Sequence, residues 1–191
     1  MRFSMGVFCF QGGDMGKTFS FFGHRKIEIT ERLKRKLDIQ IEFLIEEKGV
    51  DTFLFGSRSQ FDDLCHERVT LLQAKYSHIK RIAYVCGSEY ACMEDEREEL
   101  ERITRAVTKW NIKYKAYDGV RKSERLCNAG RASYVERNQD MINASDYCVF
   151  YEEPYYLVSK RSGTRLALEY AYQKKRGGKD IAIINLYEEN Q

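Results

Sequence analysis

Two hydrophobic rhythms alternate along this chain. Residues 17–22 alternate at every second position and are rich in aromatic rings, which predicts a first strand ending in Gly23-His24-Arg25. From Thr30 the apolar positions Leu33, Leu37, Ile41, Leu44 and Ile45 recur at helical spacing, with Thr30 as the predicted N-cap and Gly49 as the stop. A short apolar strand over 52–55 follows, then Gly56-Ser57-Arg58-Ser59, a helix over about 60–75 and a third strand over 79–86. The charge-dense stretch 93–109 carries Leu100, Ile103 and Val107 on one side and reads as a surface helix, its acidic run 94–101 a solvated face. A further strand is expected over 111–117. The segment 118–133, with Gly119, Gly130 and several basic residues, reads as an irregular working loop. Beyond it the pattern predicts a helix over 134–144, a buried strand over 146–151, a long loop, a helix over 163–176 ended by Gly177-Gly178, and a last buried strand over 181–187.

Strand and helix take turns throughout, and the single proline, Pro154, interrupts little. Parallel neighbours need long crossovers, and helices supply them, so the expected fold is an α/β sandwich with a mainly parallel sheet flanked by helices. Residues 17–191 form one domain in this reading, with 1–16 a loosely attached lead-in. In such sheets ligands bind beyond the carboxyl ends of the strands. The loops at Gly23-His24-Arg25, Gly56-Ser57-Arg58 and Ser162-Gly163-Thr164 all follow predicted strands and are expected to face one crevice.

Composition narrows the class. At 191 residues and 43% hydrophobic content the chain can bury a full core. No apolar run approaches bilayer-spanning length, and the N-terminal stretch lacks a signal-peptide pattern, so a cytoplasmic, soluble protein is expected. The six cysteines are scattered without a C-x-x-C pair, which favours reduced thiols. The three histidines show no ligand spacing with them, so no structural metal is expected, and no cofactor is implied. A net charge of +3 with interleaved signs does not promise a nucleic-acid-binding face.

The chemistry gathers around 134–168. Small residues at the mouth of a helix let a ligand approach free backbone N–H groups, where the helix dipole favours negative charge; Ser162-Gly163-Thr164 is such a mouth, with Lys160, Arg161 and Arg165 beside it. An ordinary turn with Thr164 as N-cap is the alternative. Arg137 suits bidentate phosphate binding, or a salt bridge to Glu136 or Asp140 on its own helix. Arg25 and Arg58 each follow a glycine at a strand end. Asp62 either accepts from a ribose hydroxyl or caps its helix, and Asp146, at the start of its strand, is expected to anchor a loop or helix end. Tyr151, Tyr155 and Tyr156 suit stacking on a purine or a subunit contact. Cys127 has no histidine near it in sequence and is not expected to be a nucleophile.

Gly23-His24-Arg25, the run Gly56 through Asp62, Glu136-Arg137-Asn138 through Ser145-Asp146, and Ser162-Gly163-Thr164 together resemble the SLOG superfamily, named for the Smf/DprA and LOG proteins. The resemblance is to its stand-alone bacterial branch with a T-G-H-R-like first loop, and it spans about 17–187. It implies a Rossmann-like three-layer sandwich. It also implies a ligand-binding set: Gly23, His24, Arg25, Gly56, Ser57, Arg58, Asp62, Arg137, Asn138, Ser162, Gly163, Thr164 and Arg165. More distantly, the chain is similar to LOG-type phosphoribohydrolases, whose E-R-K helix and G-G-x-G-T-x-x-E loop supply a catalytic arginine and glutamate. Arg137 falls on that arginine. Three residues after Thr164, however, stands Ala167, and Glu169 lies two positions further on, about 200° round a helix at ~100° per residue.

The expected function is therefore binding of a nucleotide or nucleotide-derived signal, of ADP-ribose or cyclic-nucleotide type, by a sensor subunit or sequestering protein. A homo-oligomer and an effector protein partner accompany that expectation. The alternative is a nucleotide N-glycosidase using Arg137 and a displaced carboxylate such as Glu169 or Asp62, because glycosidic cleavage needs a carboxylate near the ribose.

Overall fold

A computed structural model of the protein describes residues 16–56, 59–85, 117–123, 130–153 and 162–187. Among these, six strands form one parallel sheet: β1 (Lys17–Gly23), β2 (Val50–Phe55), β3 (Lys80–Val85), β4 (Gly119–Lys122), β5 (Tyr147–Tyr151) and β6 (Ala182–Asn185). Four helices flank it: α1 (Glu31–Lys48), α2 (Gln60–Gln73), α3 (Gly130–Asn143) and α4 (Gly163–Arg176). The result is a Rossmann-like three-layer α/β sandwich.

Helix α1 shows how local signals set its bounds. The Thr30 side chain accepts the Leu33 N–H at 3.1 Å, and Gly49 ends the helix at φ 69°, a left-handed conformation that costs glycine little. Its five apolar positions are all buried, each stabilising the fold by about 1.5–3 kcal/mol relative to exposure. The strands sort residues by parity. Phe19, Phe21, Phe53, Phe55 and Val149 pack with α1 and α2, while Phe22, Leu54, Cys148 and Phe150 pack with α3 and α4 on the opposite face. Cys65 and Cys148 are both buried core residues.

Strand order is β4-β3-β2-β1-β5-β6. The chain moves outward from β1 to β4, then returns to the other side of β1 for β5 and β6. Since parallel crossovers are right-handed, a reversal of direction sends the helices to the opposite face. Helices α3 and α4 pack there. The strand that receives neighbours from both directions is β1, so the crevice outside its carboxyl end is the topological switch point. The register pairs Gly23 with Tyr151, bringing the ends of β1 and β5 level.

Polar anchors fix the opposite edge. Asp146 accepts the Thr18 N–H at 2.7 Å, so it anchors strand β1 rather than a loop or helix end, and Ser20 hydrogen-bonds Ser145 beneath α3. The segment 118–133 departs from the expected irregular loop: Gly119–Lys122 pairs in parallel with β3, and α3 begins at Gly130 rather than 134. An edge strand of four residues is too short and too polar to show a period of two. The expected helix over 93–109, residues 111–116 of the expected strand, Cys86 and the lead-in 1–15 lie outside the described residues. No helix among the described residues is long and apolar enough to cross a membrane.

Candidate functional site

A cavity of about 520 Å³ opens at the carboxyl end of β1, walled by the residue that follows β2, by α3, by Ser59 just before α2 and by the first turn of α4. That volume is within the roughly 300–1,000 Å³ of small-molecule sites. Two glycines of this wall let the backbone approach neighbouring side chains closely. A methyl group added to Gly23 would fall 2.3 Å from Phe61 Cγ, and one on Gly56 would fall 2.3 Å from Met141 Sδ and 3.1 Å from Arg137 Nε. Arg25 is exposed at the rim, where its carbonyl accepts the Gln60 N–H at 3.2 Å and ties the β1 loop to α2.

Arg137 projects from α3 into this wall although only 2% of it is exposed. Its guanidinium lies 5.1 Å from the centroid of the Tyr134 ring, and Nη2 donates to Asn138 Oδ1 at 3.4 Å. Positions 134 and 137 share a helix face, so ring and guanidinium meet by the i, i+3 rule. A buried cation is expensive unless its surroundings supply compensating interactions, and an anionic ligand in the cavity would add one.

Ser162, not Thr164, caps α4: its Oγ accepts the Arg165 N–H at 2.9 Å, which leaves Thr164 inside the first turn. The first turn of α4 carries no acidic residue, in contrast with Asp62 and Asp63 in that of α2, so α4 is the more favourable helix end for an anion. A methyl group on Gly163 would meet nothing within 4 Å, and its backbone is open to approach. Beside this turn lies Glu152, 1% exposed. Its Oε1 accepts from Arg165 Nε at 3.0 Å, while Oε2 accepts from Ser162 Oγ at 3.1 Å and lies 3.1 Å from His24 Nε2. Burial alone would raise the Glu152 pKa, but the hydrogen bonds from His24, Arg165 and Ser162 outweigh it and hold the carboxyl below its ordinary range. In turn, the Glu152 hydrogen bond holds the His24 proton above the usual histidine range, against the opposite pull of burial.

The chain matches no family model and no curated protein. Of the expected set, Gly23, His24, Arg25, Gly56, Arg137, Asn138, Ser162, Gly163 and Thr164 line the one cavity. Three expected residues stand elsewhere. Arg165 turns its guanidinium to Glu152, and Asp62, buried on α2 with Ser59 as the cap of that helix, is not part of the wall. Glu169 is exposed on a separate hollow of about 410 Å³ between α3 and α4, beyond Val135 and Leu166. The physical reason is the helical turn: the wall of α4 is made by residues 163, 164 and 166, and residue 169 has rotated past it. Ser57, Arg58, Cys127, Tyr155, Tyr156, Lys160 and Arg161 lie outside the described residues.

Two participants carried weaker sequence signals. Tyr134 stands three residues before Arg137 on one helix face, which spacing alone could have suggested. Glu152 follows directly on the apolar run of β5, at the sheet edge where sites gather, but its role needs the neighbours that only folding supplies.

Proposed function

We propose that the protein binds a nucleotide or nucleotide-derived signalling molecule, of ADP-ribose or cyclic-nucleotide type, in this cavity, as a sensor subunit or sequestering member of the SLOG superfamily. The observation that carries the reading is Arg137, a guanidinium 2% exposed in the wall of a cavity at the switch point, with the first turn of α4 in the same wall. A planar fork and bare amides complement a phosphate, and Tyr134 offers an aromatic surface beside them. The glycosidase alternative needs a carboxylate facing the ribose; Glu169 opens onto the other hollow, and the Glu152 oxygens are engaged by His24, Ser162 and Arg165. Binding without cleavage is the reading these positions favour.

Mass spectrometry of small molecules released from the native protein tests the class of ligand directly. Arg137→Lys keeps the charge but loses the fork and is expected to weaken binding of that ligand by about ten- to a hundredfold, measured by calorimetry. Unchanged affinity in this variant would remove the proposed site. Turnover of nucleoside monophosphates to free base would replace binding by catalysis.

A further inference from the structure

We propose that His24 is a specificity-determining cation of the cavity: Glu152, buried behind it, holds the imidazolium in the wall, so that a doubly charged phosphate monoester is bound in preference to a singly charged diester. This rests on the reading of the cavity as an anion site. The geometry divides Glu152 between two tasks. Arg165 takes Oε1, at 3.0 Å from Nε and 2.9 Å from Nη2, and secures the carboxylate in place. Oε2 is left for the two groups that line the cavity, His24 and Ser162, each at 3.1 Å. His24 thus has a buried counter-charge on one side and the ligand space on the other, while its side chain remains 29% exposed and able to exchange its proton.

The charged groups acting on His24 come from two places, the end of β5 and the first turn of α4. Glu152 and Glu153 at the end of β5 favour its proton, and Arg165 in the first turn of α4 opposes it. Arg25 in its own loop and Arg137 on α3 line the same cavity. A bound dianion adds negative charge near the ring and strengthens proton retention, so ligand and proton bind with positive coupling. The sign follows: affinity is highest where His24 is protonated and falls as pH rises through its raised pKa.

Sulfate is a suitable probe because its own charge stays fixed between about pH 6 and about pH 9, where histidine is the side chain expected to titrate. Calorimetry should find sulfate bound about tenfold more tightly at the lower pH than at the higher, a dependence flattened in His24→Gln and moved to lower pH in Glu152→Gln. AMP, a monoester, should lose more affinity in His24→Gln than cyclic AMP, a diester. The imidazole titration of His24, assigned in NMR spectra by the signal missing from His24→Gln, should have its midpoint above that of an ordinary histidine without any ligand. Since Glu152→Gln alters a buried ion pair and can impair folding, the wild-type titration and His24→Gln carry the test independently. Sulfate binding that is flat with pH in the wild type, or equal losses of AMP and cyclic AMP, overturns the role of His24 while leaving the anion site standing. Binding of neither sulfate nor AMP at any pH overturns both.

Discussion

Two buried arginines clamp carboxylates at opposite edges of the sheet, and the clamps differ in how they use the carboxylate. At the amino ends of β3 and β4, Arg81 engages both oxygens of Asp118, Nε to Oδ2 and Nη2 to Oδ1, each at 3.1 Å, and Gln73 adds a bond to Oδ2 at 2.8 Å. That carboxylate is consumed within the clamp, which staples β3 to the chain entering β4. At the carboxyl end of β5, Arg165 converges on Oε1 of Glu152 alone, and Oε2 reaches His24 and Ser162 in the cavity wall. The same ion-pair chemistry thus joins strands at one edge and sets the charge of a candidate binding site at the other. What distinguishes structure from function here is which partners the second oxygen meets.

Breaking the upper clamp should have the largest effect. Glu152→Ala removes the carboxylate from a guanidinium only 6% exposed and is expected to cost about 3–5 kcal/mol in urea denaturation, together with weaker sulfate binding at neutral pH. A loss of stability with sulfate affinity intact would make both clamps equivalent and erase the contrast. Gly56→Ala probes the cavity without touching either clamp. Its methyl group meets Met141 Sδ at 2.3 Å and crowds Arg137, so about 1–3 kcal/mol of overpacking and weaker anion binding are expected, measured by denaturation and calorimetry.

The smallest effect is expected at the lower clamp. Asp118→Asn should cost about 1–2 kcal/mol and leave sulfate affinity unchanged, because none of its partners lines the cavity. Burial pushes the Asp118 carboxyl upward, but bonds from Arg81 and Gln73 prevail and keep its pKa below the ordinary aspartate value. A depressed folded pKa gives stability that is complete above the unfolded value and is lost as pH falls through the folded one. The wild type should therefore surrender this contribution in strong acid, and Asp118→Asn should show a shallower acid limb when urea midpoints are compared between about pH 3 and about pH 7.

Much of the fold was legible because its signals are local. The spacing of Leu33, Leu37, Ile41, Leu44 and Ile45, with Thr30 and Gly49 at the ends, places α1 with its caps, and Ser162 through Gly178 brackets α4 with similar economy. Alternation of strand and helix implied a parallel sheet. Where the local signal is weak, the reading departs from the structure. Strand β4 is a short polar edge, and the cap of α4 is Ser162 rather than Thr164, a choice between neighbouring hydroxyls that propensity does not resolve.

By itself, the sequence determined most of the described helices and strands, β4 and the first turn of α3 excepted, the apolar face that α1 buries, and the small-residue turns at the strand ends. Those properties follow from backbone geometry and the period of side-chain direction, which act within a few residues. Only the tertiary structure decided the order β4-β3-β2-β1-β5-β6, and with it which turns share a wall. It brought Arg137 beside Gly56, turned Arg165 away to Glu152, and set that carboxylate against His24, residues 128 positions apart in the chain. Contacts of that range depend on packing and charge compensation across separate elements, and no local pattern encodes them.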